Sequence, residues 1–394
     1  MHAVKHAVAA LVIFIAVSAS AQTQTFTLDG FLSGRGVSAD KDSRSWLERG
    51  PGRFDARGDQ AFALAQLGAD WTPNEHFDMH VSGLARHEPS SFGGRRAGLT
   101  EAYLDVAGGG FQLRAGQFFL PTSRENKGPL WTSPYTLTWS ALNTWIGEEV
   151  RPIGADLQWK SEFYWTIGAT AFRGNDTSGT LLAWRGWAMT NRLTVYNEPL
   201  PLPPLPSFKG FQEDVTHPFT HDLDHRTGFA ERVRYTLPER ANIQLTHFDN
   251  RGDELLHDGT PGEYAWRTRY SQISGEIGTT SPTTGAAEWM WGNTKMGLPQ
   301  FPHVNVDFQA WYALVTHKFG RNRVTGRIEQ YSVTDKAHAA EEVYDDEGRA
   351  WTVAWLYDFT KTLRGGFEFV QLSGTREEKY NTRKLSLELR YALR

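Results

Sequence analysis

Three observations make this sequence an all-β fold, a transmembrane antiparallel up-and-down β-barrel. Apolar and polar residues alternate in run after run, which gives each strand one greasy face and one polar face. The runs are close to the about 9–11 residues that a tilted strand needs to cross hydrocarbon. Very short connections alternate with long polar segments, as they do where one end of a barrel carries turns and the other carries loops.

Taken in order, residues 1–21, MHAVKHAVAALVIFIAVSASA, read as a secretory signal. Lys5 and the free amine supply positive charge, Val8 to Val17 an apolar core, and Ala19-Ser20-Ala21 a small-residue cleavage site. The mature chain, 22–394, is therefore expected outside the cytoplasm, and without cysteine it is no disulfide scaffold. After residue 21 no stretch approaches the roughly 20 apolar residues of a membrane helix. The mean hydropathy of -0.48 suits a half-apolar barrel as well as a soluble protein. A net charge of -4 gives no reason to expect nucleic acid as a partner.

Sixteen strands follow, the first eight near 25–34, 59–72, 77–89, 99–107, 110–120, 153–160, 163–173 and 228–237. The second eight fall near 241–249, 264–275, 284–296, 305–319, 321–334, 349–359, 362–374 and 383–393. Residues 182–195 could hide a strand pair and the turn 275–284 is long, so fourteen or eighteen strands stay open. The chain ends in KLSLELRYALR. Its Leu385, Leu387 and Leu389 are expected to face lipid, and Lys384, Ser386, Glu388 and Arg390 a wet interior. An even count returns both ends to one side of the membrane. Sixteen strands also enclose a lumen too wide for wall side chains to fill, so it holds water unless something plugs it.

The segment TEAYLDVAGGGFQLRAGQFFLPTSREN, 100–126, resembles the hairpin of phosphate-selective-type (O/P) outer-membrane porins. Gly116, Gln117, Phe118 and Pro121 carry the likeness: a Gly-Gln-Phe strand end, a proline and a long loop. ALNTWIGEEVRPIGADLQW (141–159) and NRVTGRIEQYSVTD (322–335) are similar to segments of related porins. The resemblance implies a porin in the outer membrane of a Gram-negative envelope, with lipid around it, small hydrophilic solutes or ions within it, and a homotrimer as a possible assembly. Two features depart from that pattern. Leu393 and Arg394 stand where such chains end on an aromatic residue, and no dense lysine cluster marks a phosphate site.

Segment 121–152 is the candidate constriction loop. It carries Arg124, Glu125, Trp131, Tyr135, Trp139, Glu148, Glu149 and Arg151. These could form an eyelet whose charges set a field and whose aromatics stack on sugars, or simply pack against the inner wall. On the wall, alternation places Arg114, Arg232, Arg234, Arg267, Arg269 and Arg327 inside. Basic residues lead the acids on that face, so a mild anion preference is expected.

The longest loop, 175–227, holds PLPLPPLP at 199–206, read as a stiff spacer. It also holds His217, His221, Asp222, Asp224 and His225. Imidazole and carboxylate suit zinc or copper, but no closed four-ligand set is apparent, so no metal is assigned. No strained nucleophile turn or phosphate-binding glycine loop appears, so neither an enzyme nor a cofactor is expected. The expected function is passive diffusion of small hydrophilic solutes or ions. The alternatives are a channel specific for phosphate-like anions or oligosaccharides, and a plugged surface scaffold or receptor.

Overall fold

In the computed structural model, residues 24–393 are described, apart from 42–43, 91, 93, 260, 299–302, 338–344 and 377. The leader 1–21 and Arg394 lie outside the described residues. Sixteen antiparallel strands close into one barrel, each paired with its neighbour in sequence and the first with the last. They are β1 Thr25–Ala39, β2 Gly58–Asn74, β3 Phe77–His87, β4 Ala97–Gly108, β5 Phe111–Gln117, β6 Ile153–Lys160, β7 Trp165–Arg173 and β8 Gly228–Leu237. The series continues with β9 Ala241–Asp249, β10 Arg267–Ile277, β11 Thr283–Gly297, β12 His303–Phe319, β13 Asn322–Asp335, β14 Asp346–Asp358, β15 Leu363–Arg376 and β16 Glu378–Leu393. Closure runs from Gly30 opposite Leu393 to Ala39 opposite Lys384.

The short turns sit at one end of the barrel. Gly109 and Gly110 join β4 to β5 at φ 58° and 82°, the left-handed pair that a two-residue hairpin requires. The segment 182–195 forms no strand pair, and 278–282 is a single turn, so both doubtful regions resolve to sixteen strands.

The last strand shows how the wall is built. Leu387 is 58% exposed on the outer face, and its neighbour Ser386 is 1% exposed on the inner one. Lys384 and Glu388 also point inward. Strand β12 reads differently. Its inward residues Val304, Val306, Phe308 and Ala310 are apolar, and His303, Asn305, Asp307 and Gln309 face out. The alternation is inverted there because, above the hydrocarbon, the outer face is wet and the inner face meets protein.

That protein is the barrel's own loops. Loops 118–152 and 174–227 fold into the lumen and form a hydrophobic core with Phe172, Phe248, Tyr270, Met290 and Phe308 of the wall. Helix α1, Ala141–Glu149, is buried on every side and is capped by Ser140, whose Oγ accepts the Asn143 amide at 3.3 Å. Helix α2, Thr180–Trp184, stacks beside it, and Trp145, Trp184 and Trp187 are buried between them. The expected wet interior is thus corrected. The loops fill much of the lumen with a buried hydrophobic core, and open cavities lie on the β1–β3 side.

Arg267 and Arg269 need the same correction. On β10, Thr268, Tyr270, Gln272 and Ser274 are the buried inward set, so both arginines point outward. They stand at the long-loop end, above the lipid band marked by Ile273 and Ile277. Charge is cheap there on either face.

Leu387→Arg is expected to cost about 2–4 kcal/mol, the penalty of a lipid-facing cation near mid-membrane. Urea unfolding of the protein in lipid vesicles measures it.

Candidate functional site

What the plug leaves open is a line of cavities along β1–β3 and β14–β16. A lower cavity of ≈ 240 Å³ opens at the short-turn end between Thr360–Arg364 and Asp29. It shares Phe31, Ser133 and Arg390 with a narrow middle cavity of ≈ 60 Å³ that rises to Arg35, Arg86 and Arg192. A side chamber of ≈ 460 Å³ branches off at Gly128–Leu130 and is lined by Arg114, Arg124, Arg234 and Glu101.

The upper end is narrowed by paired charges. Arg35 bonds Asp55 at 3.1 Å and the Asn191 side chain at 2.6 Å. Beside it, two arginines and two glutamates interlock: Arg86 with Glu198 at 2.6 Å, and Arg192 with Glu88 at 3.0 Å and Glu198 at 2.6 Å. Burial would push the two carboxyls up, but the guanidiniums hold both Glu88 and Glu198 below the usual range. Arg192 and Glu198 come from the longest loop, so this cluster ties that loop to the end of β3.

The side chamber is built differently. Arg114 lies over the Tyr103 ring at 3.9 Å and bonds Asp105 at 2.8 Å, whereas Arg234 faces the cavity with no ion pair among the described residues.

Against known proteins, no family model matches this chain and no curated protein matches it. Among solved structures, it is similar to the outer membrane channel DcaP of Acinetobacter baumannii, with a TM-score of 0.61 and 13% identity over 95% of this chain and 99% of that one. It is similar also to a loop L8 deletion mutant of OmpT, an outer membrane protein of Vibrio cholerae, with TM-score 0.58 and 11% identity over 94% of this chain and 100% of that one. An anion-selective porin from Comamonas acidovorans gives 0.57 and 8%, over 94% and 100%. The barrel is of the porin type. At these identities the likeness carries the fold alone.

Within this porin-type barrel most of the loop residues singled out in the sequence are structural. Trp131 stacks on Phe119 with centroids 4.2 Å apart and meets Trp139 edge-on at 4.9 Å. Tyr135 is buried and donates to Glu276 at 3.1 Å. Glu148 pairs with Arg185 at 2.8 Å. Arg151 is sandwiched between the Phe119 and Phe219 rings, at 4.7 and 4.5 Å, and donates to the Thr194 carbonyl. Arg124 reaches Gln244 at 2.9 Å. These contacts join segment 121–152 to the wall at Gln244 and Glu276 and to the neighbouring loop at Arg185, Thr194 and Phe219.

Arg327 is the hub. It bonds Glu125, Glu329 at 2.9 Å and the Thr138 carbonyl at 2.8 Å. Glu125 in turn accepts the Ser140 amide at 2.8 Å, which holds the start of α1. On the wall, Arg232 is locked to both oxygens of Asp156 at 2.6 Å. Sequence reasoning missed Arg35, Asp55, Glu88, Asn191 and Arg192 as lining residues. Four of them lie in loops, where no periodicity announces direction.

Two outcomes test this architecture. Arg327→Met strands Glu125 and Glu329 as uncompensated buried charges, so a loss of about 3–5 kcal/mol is expected in denaturant unfolding. Glu149, at the end of α1, accepts from Trp145 at 2.6 Å and from the Gly179 and Leu181 amides at 3.0 Å. Burial outweighs those donors and pushes its carboxyl up to about 7. The folded state then holds this proton more tightly than the unfolded chain, whose value is about 4.3. Stability should fall as pH rises between those values, and Glu149→Gln should remove that part of the slope.

Proposed function

We propose that the chain is an outer-membrane porin through which small hydrophilic solutes or ions diffuse passively, with a mild preference for anions. The observation behind this reading is the line of residual cavities, where basic side chains outnumber acids. Ten arginines and lysines line the three cavities, against seven acids: Asp29, Asp55, Asp70, Glu88, Glu101, Asp358 and Glu388. A confined cationic lining focuses its field on passing ions. In this reading the leader 1–21 is removed on export, and the trimer described for OmpT of Vibrio cholerae is the assembly proposed here.

The narrowness of the middle cavity favours a second reading, a channel specific for phosphate-like anions or oligosaccharides. Single-channel recording in planar bilayers separates the two. Small ohmic steps with reversal shifted toward anions are expected for diffusion, and block by phosphate or sugars would mark a dedicated site. Silence would leave a plugged scaffold or receptor.

The arginine assignments carry their own test. The Arg234→Ala/Arg364→Ala variant should move the reversal potential toward cations. Arg267→Ala/Arg269→Ala, on the outer face, should leave it unchanged.

A further inference from the structure

The segment HPFTHDLDH, 217–225, is split by the fold into two groups. Asp222 and Asp224 gather with Asp176, which accepts the Leu223 and Asp224 amides at 2.6 and 3.2 Å. His217 and His221 turn the other way, onto Glu263 of the hairpin formed by His257–Gly259 and Gly262–Tyr264.

The two imidazoles meet because Phe219, between them, adopts φ 45°, a left-handed conformation that reverses the chain. Its ring is buried against Arg151, so the reversal is anchored in the plug. The imidazole rings stack with centroids 4.4 Å apart. Both Nδ1 atoms approach the same oxygen of Glu263, at 3.0 and 2.5 Å, and its other oxygen accepts the His217 amide at 2.8 Å. Glu263 is nearly enclosed, its side chain 4% exposed. The Nδ1 of His221 is buried without a hydrogen bond of ordinary geometry. Backbone bonds tie the two loops together, Glu213 N–H to the Gly262 carbonyl and Gly262 N–H to the Phe211 carbonyl, both at 3.0 Å.

Two imidazoles leaning on one carboxylate oxygen compete as donors for the same lone pairs. With the protons on Nε2 instead, two nitrogen lone pairs and a carboxylate converge on one point. We propose that His217, His221 and Glu263 form a surface site for a zinc-class divalent cation that clips loop 174–227 to loop 250–266. Two nitrogens and one oxygen suit zinc or copper rather than calcium or magnesium, and the fourth position is left to water. The rings are partly exposed, so they can rotate to the metal–ligand distances of about 2.0–2.2 Å.

Titration calorimetry of the tag-free mature protein, folded in detergent, with zinc chloride alone tests the site. Saturable uptake of one ion per chain is expected. Histidine to alanine at 217 or 221, or Glu263→Gln, should weaken it about tenfold or more. His225→Ala should not, because that ring faces Asp222. Zinc should also raise the unfolding temperature of the parent chain but not of Glu263→Gln. Three results overturn the proposal: no saturable uptake, uptake undiminished in the double histidine variant with its β circular dichroism intact, or preference for calcium over zinc.

Discussion

Hydrocarbon offers a peptide group no hydrogen-bond partner, so every backbone donor and acceptor in the membrane must be satisfied within the protein. This constraint dictates the closed sheet. The pairing of β1 with β16 along Gly30–Ala39 leaves no open edge, and each strand is bonded on both sides. Once the sheet is closed, the two-residue alternation acquires a meaning that a soluble protein would not give it. Leucine and tryptophan point outward, and charge points inward.

Closure creates a second problem. Sixteen strands surround more space than wall side chains can fill. This chain fills most of it with polypeptide from two loops. Their apolar residues form a core against β7–β15, and their backbone is held by buried carboxylates such as Glu125, Glu149 and Glu368, each accepting main-chain amides. Of these, Glu125 is paired with Arg327, so the plug is fastened by an ion pair as well as by burial. Cavities remain on the β1–β3 side, where charges such as Arg35 with Asp55 and Arg192 with Glu88 are again paired.

The strands were legible because lipid imposes a strict rule on one face. The outward leucines of β16 and the tryptophans 351 and 355 of β14 announce their direction without any tertiary information. The rule lapses above the lipid. There the outer face of β12 turns polar and its inner face turns apolar, and Arg267 and Arg269 on β10 follow the same inversion. Ile273 and Ile277 share the phase of both arginines on that strand and mark it as the outer one. Loop geometry had no comparable signal. Trp131, Trp139 and Trp145 could stack on a solute or on each other, and only the fold, which places them beside Phe119 and Tyr270, decides.

The plug is made of loops whose two ends both emerge from the rim of a sealed cylinder. Such a filling enters the bore through the open mouth at that rim and is held there by ties such as Arg327 to Glu125. Because each loop is tethered at both ends to adjacent strands, its own length bounds how deep it can reach and so how much of the bore is sealed.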